Sequence, residues 1–259
     1  MQTVLFHSTI FGPIHSRRLG ISLGVNLMPN DGKICSFDCV YCEAGYNAQG
    51  QGTTGMPPQE TVKEQLCKKL KAMKEAGEGL DVITFSGNGE PTLHPHFKEI
   101  VDIVIALRDE YFPNAKVSVL SNATLASNPN VKEALLKVDN NILKLDSAIT
   151  ATMRLIDQPR SPHFTSESVI SDLADYGGQC IVQTMVLRGE HNGQRIDNST
   201  PEEINALIEA YKVIKPIEVM VYSIDRKTPE EHLEKVGRDE LEAIGRRIEA
   251  AGIKVQVNA

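Results

Sequence analysis

From residue 59 onward the chain alternates between two hydrophobic rhythms. In QETVKEQLCKKLKAMKEA (59–76), Val62, Leu66, Leu70 and Met73 recur at helical spacing, opposite a charged face. The same rhythm predicts helices over 95–111, 128–138, 166–177, 200–214 and 238–252. Gly177 closes the fourth of these six, and a Thr-x-x-Glu capping box, Thr200 to Glu203, opens the fifth. Between them lie short apolar runs that read as buried strands: DVITFSGNG (81–89), KVSVLSNAT (116–124), NILKLDSA (141–148), CIVQTMVLRG (180–189) and IEVMVYSID (217–225). ISLGVNLMP (21–29) supplies a first strand, and IKVQVN (253–258) is a last extended piece. AGYNAQGQGTTGMPP (44–58) has neither rhythm and reads as an irregular loop.

Six core strands, each followed by a loop and usually a helix, imply an α/β fold with a parallel sheet. In such sheets chemistry sits on loops at the C-terminal ends of the strands. The polar and glycine-rich motifs of this chain fall at those ends.

Composition narrows the picture. The 259 residues are 41% hydrophobic and 24% charged, as in globular proteins. No apolar run approaches the roughly 18 residues that span a bilayer. The N-terminus lacks the basic-then-apolar layout of a secretion signal. A cytoplasmic protein with no membrane partner is expected. The formal charge of −7 argues against nucleic acid as a partner, although a local basic patch can sit on an acidic protein. Five cysteines, three of them clustered, do not resemble a disulfide framework.

Those three stand in KICSFDCVYC as Cys35, Cys39 and Cys42. Soft thiolates at this spacing suit an iron–sulfur cluster or zinc. A structural zinc site takes four protein ligands, and His7 and His15 lack zinc-finger spacing from the triplet. Cys67 and Cys180 fall on a predicted helix and a predicted strand, far along the chain. The natural reading is a [4Fe–4S] cluster with one iron open to a small molecule; the bland alternative is a zinc site or three unrelated buried thiols.

Other strand ends carry candidates of differing weight. In FSGNGEPTLHP, Gly87 and Gly89 allow a turn with close ligand approach, and Glu90 is an acceptor suited to an ammonium group. Ser121 and Asn122 end the third strand, as ligand contacts or as an Asx turn. Lys144 and Asp146 share one face of the fourth strand, as a functional pair or a structural ion pair. Of Gln183 and Thr184 one must face inward, and Gln183 is favoured as a ribose or substrate contact. Tyr222, Ser223, Asp225 and Arg226 line the substrate side or simply finish the rim. Arg17 and Arg18 hold an anionic substrate or form a solvated pair. Residues 153–159, MRLIDQP, are candidates for a lid. His94, His96, His163 and His191 read as ordinary loop or surface residues, and Cys67 and Cys180 as core thiols, with a hydrogen-donor role for Cys180 the weaker option.

The cysteine spacing, with Tyr41 before the third cysteine, resembles the radical S-adenosylmethionine (radical SAM) superfamily. FGPIHSRRLGISLGVNLMP, SGNGEPTLHPHF and VYSIDRKTP extend the resemblance over nearly the whole chain, most of all to radical SAM Fe–S oxidoreductases related to wyosine-base formation. The resemblance implies a partial (β/α)6 TIM-like barrel, read here as one domain over 1–259 with 1–20 as an N-terminal extension. It implies cluster ligation by Cys35, Cys39 and Cys42, and reductive cleavage of SAM to a 5′-deoxyadenosyl radical that abstracts hydrogen from a substrate. Tyr41 would flank the adenine. Ser86, Gly87, Asn88, Gly89 and Glu90 would surround the methionine ammonium, with Asn88 interrupting the family's paired glycines; Ser121, Asn122, Lys144 and Gln183 are further SAM candidates. The expected partners are SAM, a small-molecule or peptide/protein substrate, and a flavodoxin- or ferredoxin-type electron donor. A glycyl-radical-enzyme activase, a tRNA-base-modifying enzyme, and a non-catalytic Fe–S or zinc binding module are the competing functions.

Overall fold

The computed structural model describes residues 4–16 and 18–258. Its main sheet has eight strands: β1 (Ile10–Ser16), β2 (Gly20–Val25), β3 (Val82–Phe85), β4 (Lys116–Ser121), β5 (Asn140–Lys144), β6 (Ile181–Met185), β9 (Glu218–Tyr222) and β11 (Val255–Asn258), hydrogen-bonded in that order. All neighbours run parallel except β1, which lies antiparallel on β2. The connections carry α1 (Gln59–Glu75), α2 (Phe97–Tyr111), α3 (Pro129–Leu135), α4 (Thr150–Asp157), α5 (Ser166–Ala174), α6 (Pro201–Ile214) and α7 (Arg238–Ala250). A second sheet of three short strands, β7 (Leu187–His191), β8 (Gln194–Asp197) and β10 (Leu233–Lys235), stands apart with β7 at its centre.

The six expected core strands are all present. The last extended piece is β11, a seventh parallel strand on β9. Residues 10–16, within the expected N-terminal extension, contribute β1. Two expectations are corrected. The run 180–189 is two strands rather than one: Asn198 donates to the Met185 carbonyl at 2.7 Å and accepts from the Leu187 amide at 2.8 Å, so the ladder is taken over by a side chain between β6 and β7. At α6, Thr200 accepts from the Glu203 amide, but the Glu203 carboxylate accepts from Ser147 Oγ at 2.6 Å instead of closing a reciprocal box.

Alternation along the strands separates two faces. Leu23, Val25, Ile83, Phe85, Val117, Val119, Leu143, Val182, Val219 and Val221 point toward the helices and join one apolar core with Val62, Leu66, Leu70, Ile100, Val104 and Leu207. The intervening residues face inward and mix polar with apolar side chains. Ser22 Oγ bonds Thr84 Oγ1 at 2.8 Å, and Asn140 donates to Ser118 Oγ at 2.8 Å. A small apolar cluster of Ile142, Ile181 and Met220, with Leu19 and Leu120 against it, fills the inner face near the N-terminal strand ends.

The sheet curls into a half-barrel. On a flat sheet, β2 and β9 would stand five strand spacings apart, about 24 Å. Yet Arg18, in the turn entering β2, has its guanidinium carbon 4.4 Å from the centre of the Tyr222 ring on β9. The inner face is therefore a lumen, and the loops at the C-terminal strand ends surround its mouth.

Candidate active site

The cysteine loop leaves β2 and is pinned on two sides by backbone. Toward β3, the Ile34 amide donates to the Asn88 carbonyl and the Glu90 amide to the Ile34 carbonyl, each at 3.1 Å, making a short parallel bridge. Gly89 permits this approach: its φ is +146°, and a Cβ there would stand 1.8 Å from the Ile34 carbonyl oxygen. Toward α4, the Val40 amide donates to the Ile156 carbonyl at 2.9 Å, the Asp38 amide to Asp157 at 3.1 Å, and the Arg160 amide to Ser36 at 2.9 Å. Inside the loop, Asn47 accepts from the Cys35 amide at 3.0 Å and donates to the Phe37 carbonyl, while Asp38 accepts from the Asn47 amide at 2.7 Å.

Cys39 is buried; Cys35 and Cys42 are half-buried. Two lysines reach this group. Lys33, only 2% exposed, donates to the Gly45 carbonyl at 2.6 Å and pairs with Asp38. Burial opposes its charge, but the three cysteines and Asp38 outweigh that and raise its pKa. Lys144 lies 3.4 Å from Cys39 Sγ, bonds the Tyr41 hydroxyl, and pairs with Asp146 at 2.9 Å and Asp157 at 3.1 Å. Its pKa is likewise held up: burial opposes the charge, and the two carboxylates overcome it. Burial, reinforced by Glu90, pushes the Cys35 thiol up to about 12. Burial also raises Cys39.

The other candidates close a ring around the loop. Tyr41 bonds both Asp146 and Lys144, with the lysine 4.5 Å from its ring centre. Asn122 donates to Ser36 Oγ at 2.8 Å and lies 3.6 Å from Cys35 Sγ. Glu90, 2% exposed, accepts from the Thr92 amide and hydroxyl and from the Asn122 amide at 2.7 Å. Ser121 accepts from the Ala123 amide. Ser86 is half-buried and its amide donates to Val25. Asn88 turns its side chain away, bonding Phe6 through both amide atoms and donating to the Pro29 carbonyl at 2.8 Å. Gln183 faces the lumen beside Lys144, while Thr184 points to the helices and bonds Tyr211.

Among the described residues, no three His, Cys, Asp or Glu side chains are arranged to hold a single metal ion. A cubane makes a different demand, since each thiolate binds its own iron. The donor set fits one: three soft thiols on a single pinned loop, with two buried cations beside them. Cys67 packs on the helix-side core near Tyr111, and Cys180 is fully buried there at the opposite end of β6.

The radical SAM superfamily model matches residues 30–197, which run from the cysteine loop through β8. The chain belongs to the radical SAM superfamily. A Helicobacter pylori relative called UPF0026 protein is 30% identical over 240 residues, covering 90% of this chain and 71% of its own. In solved structures, the same fold occurs in a radical SAM methyltransferase from Sphaerobacter thermophilus, at 14% identity and a TM-score of 0.66, over 92% of this chain. TYW1 with a lysine–pyruvate adduct bound follows at 18% identity and a TM-score of 0.60, over 88% of this chain. The chain spans 65% of the methyltransferase and 73% of the TYW1 chain.

Within this radical SAM chain some expectations shift. Residues 153–159 are not a free lid: Met153, Ile156 and Asp157 are buried in α4 and its C-terminal end, which holds the cysteine loop. His94 is buried rather than superficial, its ring bonded to the Pro57 carbonyl at 2.9 Å. Ser223 is a buried tie between Val186 and Val236. Arg226 pairs with Glu43, at the edge of the cysteine loop. Arg17 lies outside the described residues. Lys33, Asp38, Asn47 and Asp157 escaped the sequence reading; Lys33, two residues before the first cysteine, and Asp38, between the first and second, offered a signal by position. No helix among the described residues is long and apolar enough to cross a membrane.

Proposed function

We propose that the protein is an enzyme that holds a [4Fe–4S] cluster on Cys35, Cys39 and Cys42, leaves one iron open, and binds SAM there. The observation behind this reading is the triplet's setting: two buried lysines reach it, and the two remaining cysteines lie in the helix-side core. When bound, such a cluster supplies an electron to SAM, whose carbon–sulfur bond breaks to give an adenosyl radical that takes hydrogen from a substrate.

The chain's residues prepare that event. Lys33 and Lys144 favour the thiolate form that ligation requires. Asp146 and Asp157 fix the position of Lys144 beside Cys39. Ser86, Gly87, Gly89, Glu90, Ser121 and Asn122 surround the methionine end of SAM in this proposal. Asn88 contributes through loop shape, its side chain being committed to Phe6 and Pro29. Tyr41 and Gln183 are assigned to the adenosine end. The substrate is a small molecule or a peptide, and a flavodoxin- or ferredoxin-type protein delivers the electron. The −7 charge weighs against a tRNA substrate.

The test is reductive turnover under anaerobic conditions. The reconstituted protein, with dithionite and SAM, is expected to form methionine and 5′-deoxyadenosine, and C39A to form neither. A fully loaded cluster that leaves SAM intact would overturn the assignment.

A further inference from the structure

The turn between β1 and β2 enters the lumen from the end opposite the cysteine loop. Leu19 packs against Ile142, Ile181 and Met220 and forms a floor. From the same turn Arg18 runs inward. Its Nη1 donates to Gln183 Oε1 at 3.1 Å, and its guanidinium carbon stacks 4.4 Å from the centre of the Tyr222 ring. Gln183 is the register partner of Lys144, and Tyr222 packs in the same apolar cluster as Tyr41. The guanidinium thus sits inside the lumen, next to the ring of groups that surrounds the cysteines.

Its charge is not balanced by the protein. Lys144 has Asp146 and Asp157, and Lys33 has Asp38, whereas Arg18 forms no ion pair among the described residues. A guanidinium carries five N–H donors in a planar fork, and Gln183 takes one. A half-buried cation with unused donors is unfavourable unless an anion completes it.

We propose that Arg18 anchors the carboxylate of a small-molecule substrate on the lumen floor, with Gln183 and Tyr222 fixing the plane of the guanidinium. A planar carboxylate matches the fork bidentately. One guanidinium balances the single charge of a carboxylate, and Lys144, on the strand beside Gln183, is already paired with Asp146 and Asp157; Lys116, which lines a cavity with Arg18, is the described cation that a phosphate dianion would recruit, and the phosphate arm of the test reads it. Leu19 packs over the apolar cluster at the N-terminal strand ends, where Arg18 also lines a cavity with Asp81, Asn140 and Glu218, a space on the scale of a small molecule rather than a folded partner. The proposal rests on the reading that the mouth is where SAM binds.

The test uses the anaerobically reconstituted full chain and equilibrium binding of acetate, succinate, glutarate and inorganic phosphate, each with and without SAM. At least one carboxylate is expected to bind saturably and more tightly than phosphate. R18Q should weaken that carboxylate by about tenfold or more, the loss of a charge-assisted pair, and R18K should retain an intermediate affinity. SAM affinity should be unchanged in both variants. Melting curves identify a misfolded R18Q, in which case R18K, which keeps the stem and the charge, decides on its own. Four results overturn the proposal: no saturable carboxylate binding by the unmodified chain, equal carboxylate affinity in the variants, tighter binding of phosphate, or a parallel loss of SAM affinity, which would make Arg18 a ligand of SAM itself. Failure of the unmodified chain to bind SAM would instead sink the reading of the mouth, and the carboxylate measurements without SAM would still be decisive for Arg18.

Discussion

The two faces of the main sheet are written in alternate residues of the same strands, and they obey opposite rules. On β5, Leu143 enters the helix-side core beside Val182 and Val119, where neighbours are apolar and interchangeable in kind. One residue later, Lys144 enters the lumen, where each of its partners is a specific atom on another element: Asp146, Asp157, Tyr41 and Cys39. The outer face holds the sheet together through buried area, which tolerates exchange. The inner face holds a constellation through directed bonds, and there the removal of one member strands the others.

Substitutions on the two faces should therefore fail in different ways. Lys144→Met leaves Asp146 and Asp157 buried without their cation, and a loss of about 3–5 kcal/mol is expected in denaturant unfolding. It should also reduce iron uptake on reconstitution. Ile83→Ala, on the outer face, should cost about 2–4 kcal/mol through the cavity it leaves, with iron per folded chain unchanged. Equal iron loss in both variants would erase the distinction between the faces. Gly89→Ala tests the junction between them. Strain on the order of 1–3 kcal/mol is expected, and because the new Cβ meets the Ile34 backbone, iron retention should fall by more than stability does.

The smallest effect lies far from the site. Asp139 accepts from the Val117 amide and from Arg108, each at 2.8 Å, and although burial opposes them these bonds lower its pKa. Its stabilising contribution, below about 1 kcal/mol, is present above the ordinary carboxylate pKa near 4 and is lost as the pH falls through the depressed folded value. Unfolding curves of Asp139→Asn and the unmodified chain should converge on acidification, with iron content the same at neutral pH.

The outer face was the legible one. Helical and strand periodicities exposed the alternation of β2, β3, β4, β5, β6 and β9 with the helices, because burial against a common core imposes a repeat. β1 escaped because IFGPIHS has no clean alternation, and it is defined by pairing with β2 rather than by its own side chains. The eight-residue α4 was too short to show a stripe, and β7 hid behind the apolar Val186, which continues the run from β6. At the mouth, the cysteines declared themselves by spacing. Asp157 did not, since its meaning lies in Lys144 and Cys39, 13 and 118 residues away in the chain. The glycine-rich strand end was noticed as a place for a ligand, yet in the fold its most direct work is docking the cysteine loop onto β3, a contact between two backbones that no residue pattern records.

The central claim is that three cysteines, and no fourth side chain, hold the iron. Mössbauer spectroscopy of the 57Fe-reconstituted protein, before and after SAM is added, tests it most directly. The account predicts a [4Fe–4S] cluster with one iron site distinct from the other three, whose parameters shift when SAM binds. Four equivalent sites that ignore SAM, or iron bound without a cluster, would contradict it.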